Sequence, residues 1–579
     1  MPDSPAARPW LRFYGRVPHS LDYPDATAYE AVAATARRVP DGVAWDFFGT
    51  TATYRELLDS IDRCAGALAA LGLARGDRIL ISMPTSPAGV IAFYAANTLG
   101  AVAVMIHPLS APPEIAGYLK ASHARMALTL DAFYERFAAA RVEAPLERLI
   151  LCRIPDYLSS LKSLGFWLTK GRKIPKVPAD AAVVWWTELM GRAHAAAPSG
   201  GTSAHDPAAI LFSGGTTGAP KGILLSNRNL IAEGMQAASW SGMQDGDSML
   251  AILPIFHGFG LGVCVNAVLT AGGTSILVPQ FSPRIVATLI RAKRPSLLVG
   301  VPTLYDALAR EPSLDRADLS CLRAAFSGAD TLPRPVKERF EKRVAERGGN
   351  VRLLEGYGLT EAVTAIMAMP LDEYREGSIG IPFPDMLAKI CAPGTERSLP
   401  PGDEGEICVS GPAVMMGYLD DPEATCETLR RHADGRTWLH TGDIGRMDED
   451  GFFYFVVRAK RMIKSSGFNV YPAQVEAVLH QHPMVVEACV VGVPDPSQIE
   501  RVKAFVVAKD AAKADDGLAR ELIEFCRERL IKWSCPREIE FRAGLPRTRL
   551  GKIDYRALTA PHGAPDSREE PSGAGHARR

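Results

Sequence analysis

Short apolar runs alternate with amphipathic helical stretches through most of this sequence, and that rhythm restricts the fold more than any single motif does. Residues 54–73 read as a helix followed by a strand at 79–83; 285–292 then 297–301, and 334–347 then 351–354, repeat the unit. Strand, covering helix and strand in succession build a largely parallel sheet buried on both faces. The reading is α/β. Beyond about residue 375 the sequence turns strand-rich with Gly-containing turns, as at 405–411 and 448–457. A smaller α+β module begins near 460, with helices over 472–480 and 517–530 and strands at 487–491 and 504–507. A chain of 579 residues is too long for one ordinary core, so at least two domains are expected.

Residues 79–113 carry no Asp, Glu, Lys or Arg and resemble a membrane span at first sight. Pro84, Pro87, Asn97, Gly100 and Pro108 interrupt the stretch, which reads instead as strand 79–83, buried helix 88–99 and strand 102–106. Hydrophobic content of 47% with 22% charged residues describes a soluble globular chain. Its 65 basic and 65 acidic residues cancel, so nothing in the charge balance argues for nucleic acid. The ten cysteines are scattered, without a Cys-x-x-Cys pair or zinc spacing, which suits reduced thiols in a cytoplasmic compartment. The start, Met-Pro-Asp-Ser-Pro, does not read as a signal peptide.

The chemistry concentrates first at 211–228. Ser213, Gly214, Gly215, Thr216, Thr217, Gly218 and Lys221 share one short loop between two apolar runs. Exposed backbone N–H groups, hydroxyl donors and an ammonium suit a polyphosphate. No Gly-Lys-Ser/Thr follows, so the loop is not a Walker A sequence. Downstream come Leu253-Pro-Ile-Phe-His257-Gly-Phe-Gly260, Val301-Pro-Thr-Leu-Tyr305, Ser327-Gly-Ala-Asp330 and Glu355-Gly-Tyr-Gly-Leu-Thr-Glu361. Then follow Gly405-Glu-Ile-Cys-Val-Ser-Gly411, Met416-Gly-Tyr418, Thr441-Gly-Asp443, Arg458-Ala-Lys460, Gly467-Phe-Asn-Val-Tyr-Pro472 and Leu545-Pro-Arg-Thr-Arg-Leu-Gly-Lys552.

These segments, in this order across nearly the whole chain, resemble the adenylate-forming superfamily of acyl-CoA synthetases, luciferases and peptide-synthetase adenylation domains. The likeness is greatest to bacterial medium- and long-chain fatty acid–CoA ligases. It implies a large N-terminal domain over 1–458, of α/β sheets plus a distorted β-barrel, and a hinge at 459–461. A smaller mobile α+β domain over 462–558 and a disordered tail over 559–579 would follow. A carboxylate is a poor acyl donor, and transfer of AMP onto it with loss of pyrophosphate gives a mixed anhydride. An anion then attacks a polyanion, so charge must be neutralised and the partners held in line.

The resemblance assigns roles by position. The 213–221 loop would wrap the β- and γ-phosphates. Gly328 and Ala329 would face adenine, and Tyr357, between Gly356 and Gly358, would stack on it. Thr360 and Glu361 would hold the α-phosphate and Mg²⁺, with Glu361 as metal ligand. Asp443 would accept from the ribose hydroxyls beside Arg458. Lys552 would bridge carboxylate and α-phosphate, and His257, Phe259, Gly260, Val301 and Pro302 would border the acyl pocket. Lys460 would be the hinge, and Lys464 and Gly467 would meet coenzyme A, glycine being needed where the thiol arm passes. ATP, Mg²⁺ and coenzyme A are thus the implied cofactor and co-substrates.

The chain departs from the superfamily pattern at Asn227, Glu355, Val457 and Arg461, where histidine, glutamine, glycine and an acidic residue are usual. None of these removes a group assigned to ATP; Val457 and Arg461 alter the hinge. No carboxylate lies within 256–264, which disfavours a free amino acid as substrate. Glycines 258, 260 and 262 read either as room for a long chain or as helix-packing positions. Residues 156–168, with Lys170, Arg172, Lys173 and Lys176, resemble an insertion of the long-chain ligases. They read either as a surface helix packed on the large domain or as a transient contact with the inner membrane surface. The expected function is activation of a fatty acid to acyl-AMP and then acyl-CoA. Alternatives are an aryl or other carboxylic acid, or transfer to a carrier protein. The oligomeric state stays open, a homodimer among the options.

Overall fold

The computed structural model describes residues 8–192, 201–213, 221–458, 461, 463–465, 468–470, 472–495, 499–530, 534–547 and 553–559. They separate into two compact units. One comprises the residues up to Thr441 together with Arg446–Tyr454, the other Gly442–Gly445 and the residues from Phe455 on.

The first unit is built on two large sheets. One has nine strands in the order Ile381–Pro382, Ala365–Ala368, Leu353–Gly358, Ala324–Ser327, Leu297–Gly300, Ser248–Ala251, Thr274–Leu277, Val43–Phe47, Thr50–Thr53. Six of these, from Leu353–Gly358 to Val43–Phe47, are mutually parallel. The other sheet has eight strands, parallel from Pro207–Ser213 through Val102–Met105, Arg78–Ser82, Met126–Leu130 and Arg148–Cys152 to Val183–Trp185. Lys221–Ser226 and Gly417–Tyr418 extend it antiparallel. This is the α/β rhythm of the sequence.

The uncharged stretch resolves as read. Helix Pro87–Thr98 is buried at every residue but Thr98, which leaves no position for a charge. It packs against helix Tyr54–Ala70, whose start is fixed because Thr53 accepts from the Glu56 N–H while Glu56 accepts from the Thr53 N–H. Among the described residues no helix is long and apolar enough to cross a membrane.

A third sheet, Leu387–Cys391, Gly405–Ser410, Thr437–Met447 and Leu429–Arg431, with Phe453–Arg458 alongside Thr437–Met447, stands where the distorted barrel was expected. One of its faces carries a buried polar chain: Lys389 Nζ to His432 Nδ1 at 2.8 Å, His432 Nε2 to His440 Nε2 at 2.9 Å, His440 Nδ1 to Glu406 at 2.7 Å. All ten thiols are free, and Cys408 is beside His440.

The second unit is α+β. Strands Phe468–Val470, Ile463–Ser465, Ile499–Ala508 and Val485–Asp495 form an antiparallel sheet, and Glu538–Phe541 pairs parallel with Ile499–Ala508. Helices Pro472–Leu479 and Asp516–Arg527 supply Val475, Leu479, Leu518 and Leu522 to its core.

Candidate active site

The parallel strands bring together segments that lie far apart in sequence. Gly300, Ser327 and Glu355 form one row across the sheet. Just beyond the carboxyl ends of these strands come Val301 with Pro302, then Gly328 with Ala329, while Gly356, Tyr357 and Gly358 complete the last strand. His257 follows strand Ser248–Ala251 at the same edge. In open parallel sheets ligands bind at this edge. The Gly328 N–H donates to the Gly300 carbonyl at 3.0 Å, and a Cβ on Gly328 would sit 3.2 Å from the Phe259 ring and 3.3 Å from the Gly356 oxygen. Ala329 (φ +70°) and Val363 (φ +61°) lie in the left-handed region, which is costly for residues with a Cβ and most of all for a β-branched one.

Thr360 and Glu361 occupy a single tight turn, Thr360–Ala362, just before Val363. The Tyr418 hydroxyl donates to Glu361 Oε1 at 3.0 Å, and the Met415 N–H donates to the Glu361 carbonyl at 2.8 Å. Burial, and next the Glu361 carboxylate, push the Tyr418 phenol well above its ordinary pKa, so it stays a donor. Lys221, paired opposite Ser213 in the hairpin, places Nζ 3.4 Å from Asp421 and 4.8 Å from the Tyr418 ring centroid. Tyr418 lies in the 416–418 segment but was given no role, and Asp421 was not singled out; only the pairing of strand Gly417–Tyr418 with Lys221–Ser226 brings them to Lys221.

His257 Nδ1 accepts from the Phe259 N–H at 3.1 Å, which puts the proton of the neutral ring on Nε2. Residues Phe259–Ala267 then form a π-helix, a rare geometry concentrated at functional sites. The three glycines around it are packing positions and leave no room for a chain. A Cβ would collide with the Val363 carbonyl from Gly258, with the Pro254 carbonyl from Gly260 and with the Glu233 carboxyl from Gly262. Residues 256–264 carry no carboxylate of their own, as read, but helix Asn227–Trp240 brings the Glu233 carboxyl against Gly262. Glu233 is completely buried, and the Ala365 N–H is the hydrogen-bonding group that faces its carboxyl. Burial raises its pKa to about 8, with the Ala365 N–H pulling the other way. The signal was present in the sequence, since Glu233 interrupts an apolar face formed by Leu230, Ala237 and Ala238.

The departure at Asn227 is structural. Its Oδ1 accepts from the Ala28 N–H at 3.0 Å and from Asn97 Nδ2 at 2.6 Å, tying the start of one helix to the flank of another. Glu355 accepts from the Tyr374 hydroxyl at 2.9 Å. In the second unit, Asp443 is buried and Arg458 Nε donates to it at 2.8 Å. Arg461 donates to Glu476 at 2.8 Å and lies over Tyr555, so its pairing within this unit accounts for a basic residue there. Lys464 lies on strand Ile463–Ser465 opposite Asn469. Gly214, Gly215, Thr216, Thr217, Gly218, Lys460, Gly467 and Lys552, like the tail after Thr559, lie outside the described residues.

The model of the AMP-binding enzymes matches residues 32–419, and that of the AMP-binding enzyme C-terminal domain matches 474–552. The chain belongs to the AMP-binding enzyme family. Over 559 residues it is 36% identical to a long-chain-fatty-acid–CoA ligase of Bacillus subtilis, covering 95% of this chain and 97% of that one. It is 34% identical over 520 residues to a feruloyl-CoA synthase of Amycolatopsis, covering 90% and 95%. Among solved structures, ATP-bound MatB of Rhodopseudomonas palustris superposes with a TM-score of 0.78 at 29% identity, covering 92% of this chain and 98% of that one. This AMP-binding enzyme is an acid–thiol ligase. It uses ATP and Mg²⁺ to convert a carboxylic acid to acyl-AMP and passes the acyl group to coenzyme A.

Proposed function

We propose that the acid is a medium- or long-chain fatty acid. The observation carrying this is near-full-length similarity to the Bacillus ligase, together with a 35%-identical Salmonella typhimurium relative of the same name. The residue roles follow position. The 213–218 loop and Lys221 cradle the β- and γ-phosphates; Tyr357 stacks on adenine between Gly356 and Gly358, with Gly328 and Ala329 along its edge. Thr360 holds the α-phosphate, Asp443 and Arg458 the ribose, and His257, Phe259, Val301 and Pro302 border the acyl group. Glu361 offers hard oxygen donors of the kind Mg²⁺ takes, on a turn fixed by the Met415 amide. Bound there, the ion would offset the charge of the phosphates. Lys552 bridges the attacking carboxylate and the α-phosphate; Lys460 is the hinge between domains 1–458 and 462–558, and Gly467 and Lys464 meet coenzyme A.

An aryl acid is the second reading, favoured by the feruloyl-CoA synthase relative. The test offers ATP, Mg²⁺ and a mixed pool of fatty, aryl and amino acids, with and without coenzyme A, and reads acyl-AMP and acyl-CoA by mass spectrometry. Fatty acyl-CoA formed only with coenzyme A is the expected result. Aryl-CoA alone would replace the substrate, and acyl-AMP that persists with coenzyme A present would point to a carrier protein.

We further infer that the enzyme works at the inner, cytoplasmic membrane surface. Helix Ser160–Thr169 has no buried residue, and Leu161, Leu164, Trp167 and Leu168 are 81, 54, 53 and 50% exposed. Its foot is held by Lys162 on the Phe48 carbonyl. Lys170, Arg172, Lys173 and Lys176 are exposed directly after it, with Arg172 over the Trp167 ring at 4.4 Å. An apolar face rimmed by cations complements an anionic bilayer. The protein should float with phosphatidylglycerol vesicles but not with phosphatidylcholine vesicles, and Leu164→Ser with Trp167→Ser should abolish flotation. Equal flotation of the double variant would exclude this surface.

A further inference from the structure

The third sheet gathers a group of metal-ligating side chains, none of which has a part in adenylation as derived above. Glu406 and Cys408 stand two apart on strand Gly405–Ser410 and so share a face, and His440 reaches them from strand Thr437–Met447. The Thr441 hydroxyl donates to the Ile407 carbonyl at 2.7 Å, tying the two strands at the residue between Glu406 and Cys408. Cys408 is fully buried, and His440 and Glu406 are nearly so. One oxygen, one sulfur and one nitrogen from the three lie within 4.8 Å of one another. His440 Nδ1 is 2.7 Å from Glu406 Oε2 and 3.5 Å from Cys408 Sγ. Around a tetrahedral Zn²⁺ of ordinary bond lengths, nitrogen and sulfur are about 3.5 Å apart and nitrogen and oxygen about 3.4 Å. The nitrogen–sulfur spacing therefore fits as it stands, and the carboxylate has to withdraw by about 0.7 Å.

The support around these atoms is that of a ligand histidine. His440 Nε2 is held by His432 Nε2 at 2.9 Å, and His432 Nδ1 by Lys389 Nζ at 2.8 Å, so the ring is oriented from its far side. A disulfide is not what brings the cysteines together. Cys391 shares a cluster with Cys408 and Trp438, but in register it opposes Glu406. Such a diagonal pair is about 7–8 Å apart at Cα, beyond the span of a disulfide.

We propose that Glu406, Cys408 and His440 form a Zn²⁺ site that joins strands Gly405–Ser410 and Thr437–Met447, apart from the Mg²⁺ used in adenylation. Thiolate, imidazole and carboxylate together suit Zn²⁺, whereas Mg²⁺ takes oxygen. The thiolate and carboxylate cancel the charge of the ion, so the loaded site is neutral where it is buried. The fourth position is left to a water, as in other sites with three protein ligands. On binding, Cys408 loses its thiol proton, and the His440 proton moves from Nδ1 to Nε2. One proton then leaves the histidine chain at its Lys389 end.

The test loads the full chain, freed of metal by a chelator and desalted, with Co²⁺. Wild type should take up a single Co²⁺ with the near-ultraviolet charge-transfer band of a thiolate ligand and the visible colour of a tetrahedral site, and Zn²⁺ should bleach both. Cys408→Ser should lose the charge-transfer band. His432→Phe should keep it but bind Zn²⁺ about tenfold or more weakly. Cys426→Ser, which changes an exposed thiol, should match wild type. Zn²⁺ at a hundredfold excess over its Kd should raise the melting temperature of wild type and leave that of Cys408→Ser unchanged. A wild type without the band, or a band that survives in Cys408→Ser, would overturn the proposal. Should Cys408→Ser fail to fold, Glu406→Gln keeps the shape of its side chain and removes the charge. Its Zn²⁺ affinity should fall at least as far as that of His432→Phe, and an unchanged affinity would equally overturn the proposal.

Discussion

Gly258→Ala is the smallest perturbation that tests whether the two halves of the site support each other. Backbone angles at Gly258 (φ −50°, ψ −37°) suit any residue, so the penalty is steric alone. The added Cβ would overlap the Val363 carbonyl oxygen, 2.9 Å from its carbonyl carbon and 3.2 Å from the Thr364 Cβ. Two of those three atoms are backbone, and no rotamer change relieves them. Overpacking costs about 1–3 kcal/mol. Val363, already in the left-handed region, holds strain of a similar size and has little freedom to yield. We expect the upper end of that range, about 3 kcal/mol. Displacement of Val363 moves Glu361, two residues earlier, and a shift on the order of 1 Å in a positioned group costs about a hundredfold in rate. Thermal unfolding and acyl-AMP formation from ATP are measured together, with Gly117→Ala as control. Gly117 sits on the exposed face of helix Pro112–Ser122 with nothing near its Cβ, and alanine there should stabilise by about 0.5–1 kcal/mol. If Gly258→Ala melts and adenylates like wild type, the close approach of the His257 and Glu361 segments is wrong.

Lys552→Ala should suppress acyl-AMP formation by about a hundredfold or more yet spare thioester formation from supplied acyl-AMP; equal loss in both steps would remove its bridging role. Gly467→Leu should do the reverse, and an undiminished coenzyme A step would take that glycine out of the thiol path. Tyr418→Phe removes one hydrogen bond to Glu361 and should raise the Mg²⁺ concentration needed for half-maximal adenylation, an effect that an unchanged titration would rule out. Burial and the neighbouring Lys389 and His440 hold the pKa of His432 below its ordinary 6.5. Its contribution to stability is therefore present above pH 6.5 and lost as pH falls through the lower folded value, because the unfolded chain takes up the proton first. A melting temperature in His432→Phe that falls with acid as steeply as in wild type would contradict this.

The architecture was legible because burial writes itself into sequence. Helix Pro87–Thr98 had to lack charge once strands covered it, and Thr53 with Glu56 fixed a helix start within three residues. The glycines at 258, 260 and 262 were ambiguous because a close backbone approach and an open pocket ask for the same residue; only Val363, Pro254 and Glu233, brought near by the fold, decide between them. Tyr418, though inside the 416–418 segment, was given no role, and Asp421 and Glu233 went unrecognised, for the same reason. The importance of Tyr418 and Asp421 depends on partners 57 and 200 positions away, in the Tyr418–Glu361 bond and the Asp421–Lys221 pair. The polar chain from Lys389 to Glu406 passes through three residues on separate strands and His432, just past the end of a fourth, with none of the spacing that marks a local motif. Residues 156–168 were read either as a surface helix packed on the large domain or as a membrane contact; that the apolar face of helix Ser160–Thr169 is left uncovered is tertiary information.

In this ligase the carboxylate oxygen becomes bonded to the α-phosphorus before the thiol attacks. The most direct measurement supplies a turned-over acid with both carboxylate oxygens isotopically heavy, then ATP, Mg²⁺ and coenzyme A, and weighs the products. Attack of the carboxylate on the α-phosphate expels pyrophosphate. Attack of the thiol on the acyl carbon then expels AMP with the bridging oxygen still attached. AMP should carry one heavy oxygen, acyl-CoA should retain the other, and pyrophosphate should be unlabelled. Unlabelled AMP, or label in released phosphate, would contradict it.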